Sequence, residues 1–266
     1  MGEVIAVVSG KGGVGKTTVV AHLGAKLAEQ GKKVLLIDAD MGLRNLDIAL
    51  GAENRIVYDI ADVLENVCSE DEAIIEIEDY PGLFFIPSPQ TRTAECITEE
   101  DLSGFCRDMA EKYDFVIVDG PAGIGDGFLK TISGADRAIV VAQGYMASLR
   151  DADKTISFLE KKNLSEIAVI INAVRPDFVK QGIMLDMDYI LDVLGTKLLG
   201  IIPEDIELLK MSGECNIAND SPAAQAFFNT AKRIMGEEVP IMDFTPKKKK
   251  RRFLFRKNKD NTKEKR

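Results

Sequence analysis

The sequence predicts one doubly wound α/β domain with a mostly parallel sheet, followed by a basic C-terminal tail. Three observations support this expectation. Short apolar runs alternate with longer helical patterns, a glycine-rich loop stands between the first run and the first helical pattern, and the sign of the charge reverses near the C-terminus. Alternating strands and helices are typical of parallel sheets that carry helices on both faces.

The candidate strands are short runs of mostly apolar and β-branched residues. Several are apolar almost without interruption, as expected for strands that are buried on both faces of a sheet. They cover residues 4–8, 34–37, 83–86, 115–118, 138–142, 168–171 and 198–202. Helical patterns are expected at about 16–30, 99–112, 148–162, 185–194, 204–212 and 221–236. In such a fold, ligands bind beyond the carboxyl ends of the strands.

The composition is that of an ordinary globular domain, with 45% hydrophobic and 29% charged residues among 266. No stretch approaches the roughly 18 apolar residues of a membrane-spanning helix. The N-terminus passes directly into the first apolar run without the pattern of an export signal, so we expect a cytoplasmic protein. Cys68, Cys96, Cys106 and Cys215 are scattered, and the single histidine, His22, has no companion at metal-binding spacing. We therefore expect reduced thiols and no metal cluster.

The charge divides the chain into two parts, a domain at 1–246 and a tail at 247–266. The tail has 12 basic residues and only two acidic ones, a net charge of +10, whereas residues 1–246 carry a net charge of −19. An acidic body is repelled by nucleic acid, and a basic tail is attracted to polyanions. We expect the tail to be disordered in free solution because its composition cannot form a packed core.

A glycine-rich loop directly follows the first strand and opens the first helix. Its sequence, GKGGVGKT over residues 10–17, fits the pattern G-x-x-x-x-G-K-[ST] in the required strand–loop–helix context. Glycines allow backbone N–H groups to surround phosphate oxygens, Lys16 is expected to reach the β- and γ-phosphates, and Thr17 to bind Mg²⁺. The loop therefore predicts a P-loop NTPase fold. The predicted nucleotide contacts here are Gly10, Lys11, Gly12, Gly13, Val14, Gly15, Lys16, Thr17 and Thr18.

Carboxylates end two other predicted strands. Asp119 follows the run 115–118 and is expected to support Mg²⁺ through its water shell, as in a Walker B motif. The next residues, 120–123, are predicted to form the switch II turn. Asp38 and Asp40 stand two residues apart at the end of the second strand, which places both near the phosphates. The metal-side residues that these motifs predict are Thr17 and Asp119.

The loop also carries a lysine, Lys11, that an ordinary P-loop does not require. With this lysine, the string KGGVGKT resembles the deviant Walker A motif of the MinD/ParA family. The resemblance continues colinearly through about residues 2–240 and is closest to the MinD branch of the family. The segments that carry it are DMGLRNLD at 40–47, VYD at 57–59, SPQTR at 88–92, SLRDAD at 148–153 and GIIPED at 200–205.

The resemblance implies a role for several residues. Lys11 would reach across a dimer interface to the partner's nucleotide, Lys16 would hold the phosphates, and Asp40 would position the attacking water. These three are the predicted catalytic residues, with Asp38 on the metal side of the site. By the family's pattern, Asn172 would read the adenine edge, and residues of the loop after the last strand would lie beside the base, namely Pro203 and Asp205.

The resemblance also implies a function. The chain would be an ATP-hydrolysing enzyme that uses ATP and Mg²⁺ and forms a homodimer when ATP is bound. The dimer would associate peripherally with the inner face of the cell membrane through its tail and recruit a MinC-like division inhibitor to position the septum. A MinE-like or other topological adaptor would stimulate hydrolysis and release it.

The alternatives of the same fold are a ParA-like partitioner, a flagellar-number regulator and, less favoured, an ATP-dependent metabolic enzyme. The acidic body at 1–246 argues against a ParA-like DNA partitioner, which needs basic surface. A flagellar-number regulator would typically carry an N-terminal extension, and an ATP-dependent metabolic enzyme would need a second catalytic constellation that the sequence does not display. A nitrogenase-type reductase would need cluster-binding cysteines, and the cysteine expected after Asp119 is absent from the sequence.

Two features depart from the family's pattern. Gln143-Gly144 stands where an asparagine–proline step is usual, and Ala173 stands where an arginine is often found. The apolar residues of the tail, 253–255, are consecutive, so on a helix they would spread over more than half of its circumference. A polybasic segment still binds anionic lipid, at about 1 kcal/mol per basic residue near the surface. A nucleic-acid arm and a solvated charge run are the competing interpretations of the tail.

Overall fold

The computed structural model describes residues 1–41, 44–90, 97–164, 166–210 and 220–242. Cys96 and Cys215, the end of the helix expected at 204–212, and the whole tail at 247–266 lie outside these residues, as does the predicted domain boundary. Within the described residues, no helix is both long and apolar enough to cross a bilayer.

The chain forms the doubly wound α/β fold that the sequence predicts. All seven predicted strands are present in one sheet of eight, with the order β3-β4-β2-β5-β1-β6-β7-β8 among the described residues. Neighbouring strands are parallel except β3, which runs antiparallel to β4. The strands are β1 Glu3–Ser9, β2 Val34–Asp38, β3 Ile75–Glu76, β4 Leu83–Ile86, β5 Phe115–Ala122, β6 Arg137–Gln143, β7 Glu166–Val174 and β8 Lys197–Pro203.

Two differences from the predicted strands have clear causes. The edge strand β3 has only two residues, too few to produce a periodic pattern. β5 continues to Ala122, so the prediction that the switch II turn begins at Gly120 is wrong. Ala122 stays in the sheet because it pairs with Ser9 of β1 after a shift in register. The turn begins at Gly123, whose φ of 87° is accessible to glycine without strain.

The helices agree with the six predicted ones and add several short ones. The added helices lie at 46–50, 60–64, 70–73, 126–133 and 176–180, and with about two turns or fewer each gives only a weak periodic pattern. In the described residues the helices are α1 Lys16–Ala28, α2 Leu46–Leu50, α3 Ile60–Leu64, α4 Glu70–Ala73, α5 Glu99–Ala110, α6 Asp126–Ser133, α7 Met146–Lys161, α8 Pro176–Lys180, α9 Met187–Leu194, α10 Ile206–Lys210 and α11 Pro222–Ile234. A single 3₁₀ turn, Glu53–Arg55, follows α2.

The core lies on both faces of the sheet. Alternate residues of β1 show this, since Ile5 and Val7 pack into one cluster and Ala6 and Val8 into another. α1, α2 and α11 cover the first face. α3 and α5 cover one part of the second face, and α6, α7 and α9 cover the other. Because β1, β2 and β5 to β8 are parallel, their carboxyl ends meet at one edge of the sheet, where ligands bind in this class of fold.

Candidate functional site

The glycine-rich loop curls between the end of β1 and the start of α1. Gly13 and Gly15 have φ values of 77° and 86°, in the left-handed region that L side chains rarely adopt. The curl encloses a cavity of about 280 Å³, which we call the loop cavity. Its lining includes most of the predicted loop residues and several others: Ser9, Lys11, Gly12, Gly13, Val14, Gly15, Lys16, Thr17, Thr18, Asp40, Asn45 and Ala122.

Gly10 is the one predicted loop residue that does not line the loop cavity. A Cβ atom at this position would come within 2.6 Å of the backbone oxygen of Asp151 in α7. Glycine is therefore required at Gly10 because α7 approaches the backbone closely. At Gly13, by contrast, a Cβ would meet nothing within 4 Å, so there the backbone conformation sets the requirement.

Lys16 is the first residue of α1 and is buried, with 7% of its side chain exposed. Its ammonium group forms an ion pair with Asp119, which is only 1% exposed. Burial raises the pKa of Asp119, while the Lys16 charge and hydrogen bonds from Lys16 and Thr17 lower it. In this structure the lysine predicted to hold phosphates is thus held by the predicted Walker B carboxylate.

Asp38 lies beside Asp119, its partner in the parallel pairing of β2 and β5. One carboxylate oxygen of Asp38 accepts a hydrogen bond from the backbone N–H of Asp40 at 2.9 Å, and the other accepts one from Leu46 at 3.4 Å. Burial, and secondarily the charge of Asp119, raises the pKa of Asp38 to about 7. Two neighbouring buried carboxylates repel each other when both are ionised, which costs free energy. A cation between or near them lowers that cost.

The donor set therefore fits a divalent metal ion. Mg²⁺ prefers oxygen ligands and keeps several of its waters. The Thr17 hydroxyl and the Asp119 carboxylate already form a hydrogen bond with each other. Asp38, the third predicted metal-side residue, accepts a hydrogen bond from a backbone N–H group at each of its oxygens and so also fixes the loop at Asp40.

Asp40 is half-buried and lines the loop cavity. Burial raises the pKa of its carboxyl group, and the Lys16 charge opposes that shift. Its backbone is held at two points, because its N–H donates to Asp38 and its carbonyl oxygen accepts a hydrogen bond from the Ser88 hydroxyl at 3.4 Å. In the part of the chain that the structure describes, its carboxylate takes part in no hydrogen bond. Asn45 joins it in the same lining and was not predicted as a site residue.

A second cavity of about 250 Å³, which we call the side cavity, shares loop residues with the first. It holds all three residues predicted to lie near a base, together with Glu204 of the same predicted loop and with Gln143, which was not predicted. The described lining is Gly13, Val14, Gly15, Thr18, Gln143, Asn172, Ala173, Pro203, Glu204, Asp205 and Leu208. Gln143 and Ala173, the two departures from the family's pattern, are thus at this site.

Two of the predicted base contacts have structural partners. The Asn172 amide donates to the carbonyl oxygen of Val14 at 2.9 Å and so ties β7 to the loop. The Asp205 carboxylate accepts hydrogen bonds from the backbone N–H of Glu207 at 3.0 Å and of Ala223 at 3.4 Å. These bonds stabilise the first turns of α10 and α11. Sequence alone gave no sign of the bonds from Asn172 to Val14 and from Ala223 to Asp205, since both join residues brought together by the fold.

The sequence and fold were compared with those of known proteins. A family model described as the CobQ/CobB/MinD/ParA nucleotide binding domain matches residues 5–215. The septum site-determining protein MinD of Synechocystis is 42% identical over 248 residues, which cover 92% of this chain and 93% of that protein.

Two solved structures are similar along nearly their whole length. The MinC:MinD cell division protein complex of Aquifex aeolicus matches with a TM-score of 0.84 at 42% identity, covering 91% of this chain and 99% of that one. MinD of Pyrococcus horikoshii complexed with Mg-ADP matches with a TM-score of 0.78 at 27% identity, covering 90% of this chain and 100% of that one.

Proposed function

The chain belongs to the CobQ/CobB/MinD/ParA nucleotide-binding family, and from that premise we propose that it is a septum-site-determining ATPase. It hydrolyses ATP to ADP and phosphate and acts in cell division as a nucleotide-controlled dimer. The similarity to MinD proteins over nine-tenths of the chain supports this function. The observation that carries it is the loop cavity, in which a P-loop lysine, a lysine of the deviant motif and Asp40 share one lining.

The phosphates of ATP would enter the loop cavity and replace Asp119 as the partner of Lys16. The residues that would hold Mg²⁺ are Thr17 and Asp119, with Asp38 orienting them. Bound there, Mg²⁺ would neutralise charge on the β- and γ-phosphates during transfer to water. The exchange of partners moves the Lys16 charge from the protein to the substrate without exposing an unpaired buried carboxylate.

Hydrolysis needs a group that positions water beside the γ-phosphate. Asp40 meets this requirement because its carboxylate lines the cavity while its backbone is anchored through Asp38 and Ser88. Lys11 is half-buried at the cavity and would reach the partner's nucleotide in the dimer. The similarity to the MinC:MinD complex supports recruitment of a MinC-like division inhibitor, with a MinE-like or other adaptor that stimulates hydrolysis.

The basic tail at 247–266 would attach the dimer peripherally to an anionic membrane surface. Each tail supplies a net charge of +10, and two tails in a dimer bind far more strongly than one because the second binding event is intramolecular. The proposal therefore couples ATP binding, dimerisation and membrane attachment.

Sedimentation with anionic liposomes tests this coupling directly. The full chain is mixed with vesicles that contain phosphatidylglycerol, in the presence of ATP, ADP or no nucleotide, and phosphate release is followed in parallel. We expect phosphate release with Mg-ATP and strong sedimentation with ATP only. Lys11→Ala should still bind ADP but form no ATP-dependent dimer by light scattering.

Deletion of 247–266 separates the tail from the ATPase. The truncated chain should dimerise with ATP yet fail to sediment with liposomes. Sedimentation of the truncated chain would place the membrane site on the folded domain, and a preference of the full chain for DNA over anionic lipid at about 0.15 M salt would favour a partitioning function. Absence of phosphate release under all conditions would contradict the ATPase assignment.

A further inference from the structure

The side cavity contains four side chains that end in an amide or a carboxylate: Gln143, Asn172, Glu204 and Asp205. These are the groups able to distinguish one nucleobase from another by hydrogen bonding. A group contributes fully to such recognition only if the protein does not already use its donors and acceptors.

Three of the four are already engaged. The Asn172 amide nitrogen donates to Val14 in the loop, and both carboxylate oxygens of Asp205 accept backbone hydrogen bonds at the starts of α10 and α11. Glu204 is exposed and forms an ion pair with Arg175 at 3.3 Å. These groups shape the side cavity, and each would have to give up a partner to bind a base through the atoms now engaged.

Gln143 differs from these three. Among the described residues, its side-chain amide takes part in no hydrogen bond. Its backbone is nevertheless fixed, because its N–H donates to the Ser148 hydroxyl at 2.9 Å and its carbonyl oxygen accepts a hydrogen bond from the N–H of Tyr145 at 2.8 Å. It is the last residue of β6 and the register partner of Asn172 on β7. A positioned backbone therefore presents an uncommitted amide at the cavity.

We propose that Gln143 is a specificity-determining residue that recognises the nucleobase and favours adenine over guanine. This inference rests on the proposed function, since it presumes that a nucleotide occupies the two cavities. A carboxamide has one acceptor and two donors, which complement the exocyclic N6 amino group and the ring nitrogen N7 of adenine in a bidentate pair. On the same edge guanine presents two acceptors, O6 and N7, so an amide that faces this edge pairs with guanine through one bond only.

Calorimetric titration of the full chain with Mg-ADP, Mg-GDP and magnesium pyrophosphate tests the proposal. The variants are Gln143→Ala, which removes the amide, and Gln143→Glu, which removes its donors. Gln181→Ala is the matched control, because Gln181 is an exposed glutamine at the end of α8 that does not line the side cavity.

We expect Gln143→Ala to weaken ADP binding about tenfold or more, the effect of losing a bidentate base contact, and to leave pyrophosphate binding unchanged. Gln143→Glu should weaken ADP binding as well, since a carboxylate accepts a hydrogen bond from the adenine amino group but cannot donate one to N7. Gln181→Ala should behave as the wild type for all three ligands.

Two results would overturn the inference. One is an unchanged ADP-to-GDP ratio in Gln143→Ala. The other is an equal loss for ADP, GDP and pyrophosphate, which would mean that Gln143 acts through the shape of the loop. A different result, failure of the wild type to bind ADP, ATP or pyrophosphate, would contradict the proposed function itself.

Discussion

The loop cavity and the side cavity share one loop but are built on different physical principles. The loop cavity has buried charges at its base, with Lys16 paired to Asp119 and the Asp38 carboxylate alongside. The side cavity is bounded by residues whose polar groups are neutral, such as Gln143 and Asn172, or paired near the surface. Buried charges destabilise the loop cavity until a ligand and a metal ion bind. The polar groups of the side cavity cost little free energy with or without nucleotide.

Because of this difference, the two cavities contribute to the free energy of nucleotide binding in different ways. Buried charges that exchange partners can couple binding to large changes elsewhere, because an unpaired charge in this environment is strongly unfavourable. Neutral hydrogen bonds contribute about 1 kcal/mol each and serve mainly for discrimination. We therefore expect substitutions in the loop cavity to have large effects on nucleotide binding, hydrolysis or the response to Mg²⁺. Substitutions in the side cavity should change nucleotide affinity by smaller factors.

Lys16→Ala should have the largest effect. It removes the positive charge that holds the phosphates and leaves the buried Asp119 carboxylate without an ionic partner, so nucleotide binding and ATP-dependent membrane recruitment should both be lost. The control is Lys26→Ala, which removes another buried lysine of α1, one that pairs with Glu29 away from the cavity. If calorimetry gave Lys16→Ala the ADP affinity of the wild type, the buried charge of the loop cavity would not be what holds the phosphates.

Asp40→Ala should slow hydrolysis and spare binding. The loss of a water-positioning carboxylate is expected to lower the single-turnover rate by about 10²- to 10⁴-fold. ATP keeps its other anchors in Lys16, Thr17 and the loop amides, so the variant should remain trapped as an ATP dimer on liposomes. Asp40→Asn keeps the shape of the side chain and removes its charge. Normal phosphate release by either variant would show that Asp40 does not position the attacking water.

Asp119→Asn should alter the response to Mg²⁺. The substitution preserves the shape of the side chain but removes a metal-side carboxylate, and it leaves the Lys16 ammonium without an ionic partner. We expect the nucleotide-free protein to lose about 3 kcal/mol of stability, measured by denaturant unfolding. Phosphates then no longer compete with Asp119 for Lys16, so ADP binding in EDTA should equal or exceed that of the wild type.

The ratio of ADP affinities with and without Mg²⁺ is the decisive quantity for this variant. We expect that ratio to fall towards one in Asp119→Asn. A wild-type ratio would show that Asp119 takes no part in holding the metal, and that the pair with Lys16 is its sole contribution.

The two cavities also differ in how much of them the sequence could predict. The glycine-rich loop, Asp38 and Asp119 belong to continuous motifs at strand ends, and the structure brings them to one edge of the sheet as expected. The short strand β3 and the extension of β5 to Ala122 leave no periodic trace. They depend on pairing with residues distant in the chain, Phe85 in β4 and Ser9 in β1.

Individual roles were harder to predict than positions. Gly10 belongs to the loop motif, yet its requirement for glycine comes from α7, which packs against it from more than a hundred residues away. Asn172 and Asp205 both lie at the side cavity, and their hydrogen bonds to Val14 and to the start of α11 are tertiary contacts. A sequence motif specifies which residues approach a ligand and does not specify which of their atoms remain available.

Asn172→Ala should have the smallest effect and distinguishes these two kinds of role. It removes the 2.9 Å hydrogen bond to the Val14 carbonyl oxygen and should lower the unfolding free energy by about 1 kcal/mol. A Cβ at Gly15 would lie 2.3 Å from the Asn172 amide nitrogen, so the curl of the loop and this side chain fit closely together. Loss of the amide should therefore loosen the loop and weaken ADP and pyrophosphate by the same few-fold factor.

The matched control is Asn229→Ala, which removes the partner of an exposed 3.1 Å hydrogen bond from Gln225 on α11 and should change neither affinity. Selective weakening of ADP, with pyrophosphate unaffected, would instead show that Asn172 reads the base. That result would assign recognition of the base to Asn172 on β7 rather than to Gln143. The same residue would then both recognise the base and support the phosphate loop. Equal weakening of ADP and pyrophosphate binding would instead mean that loop support and base recognition belong to different strands. Asn172 on β7 would then support the loop, and Gln143 on β6 would select the base.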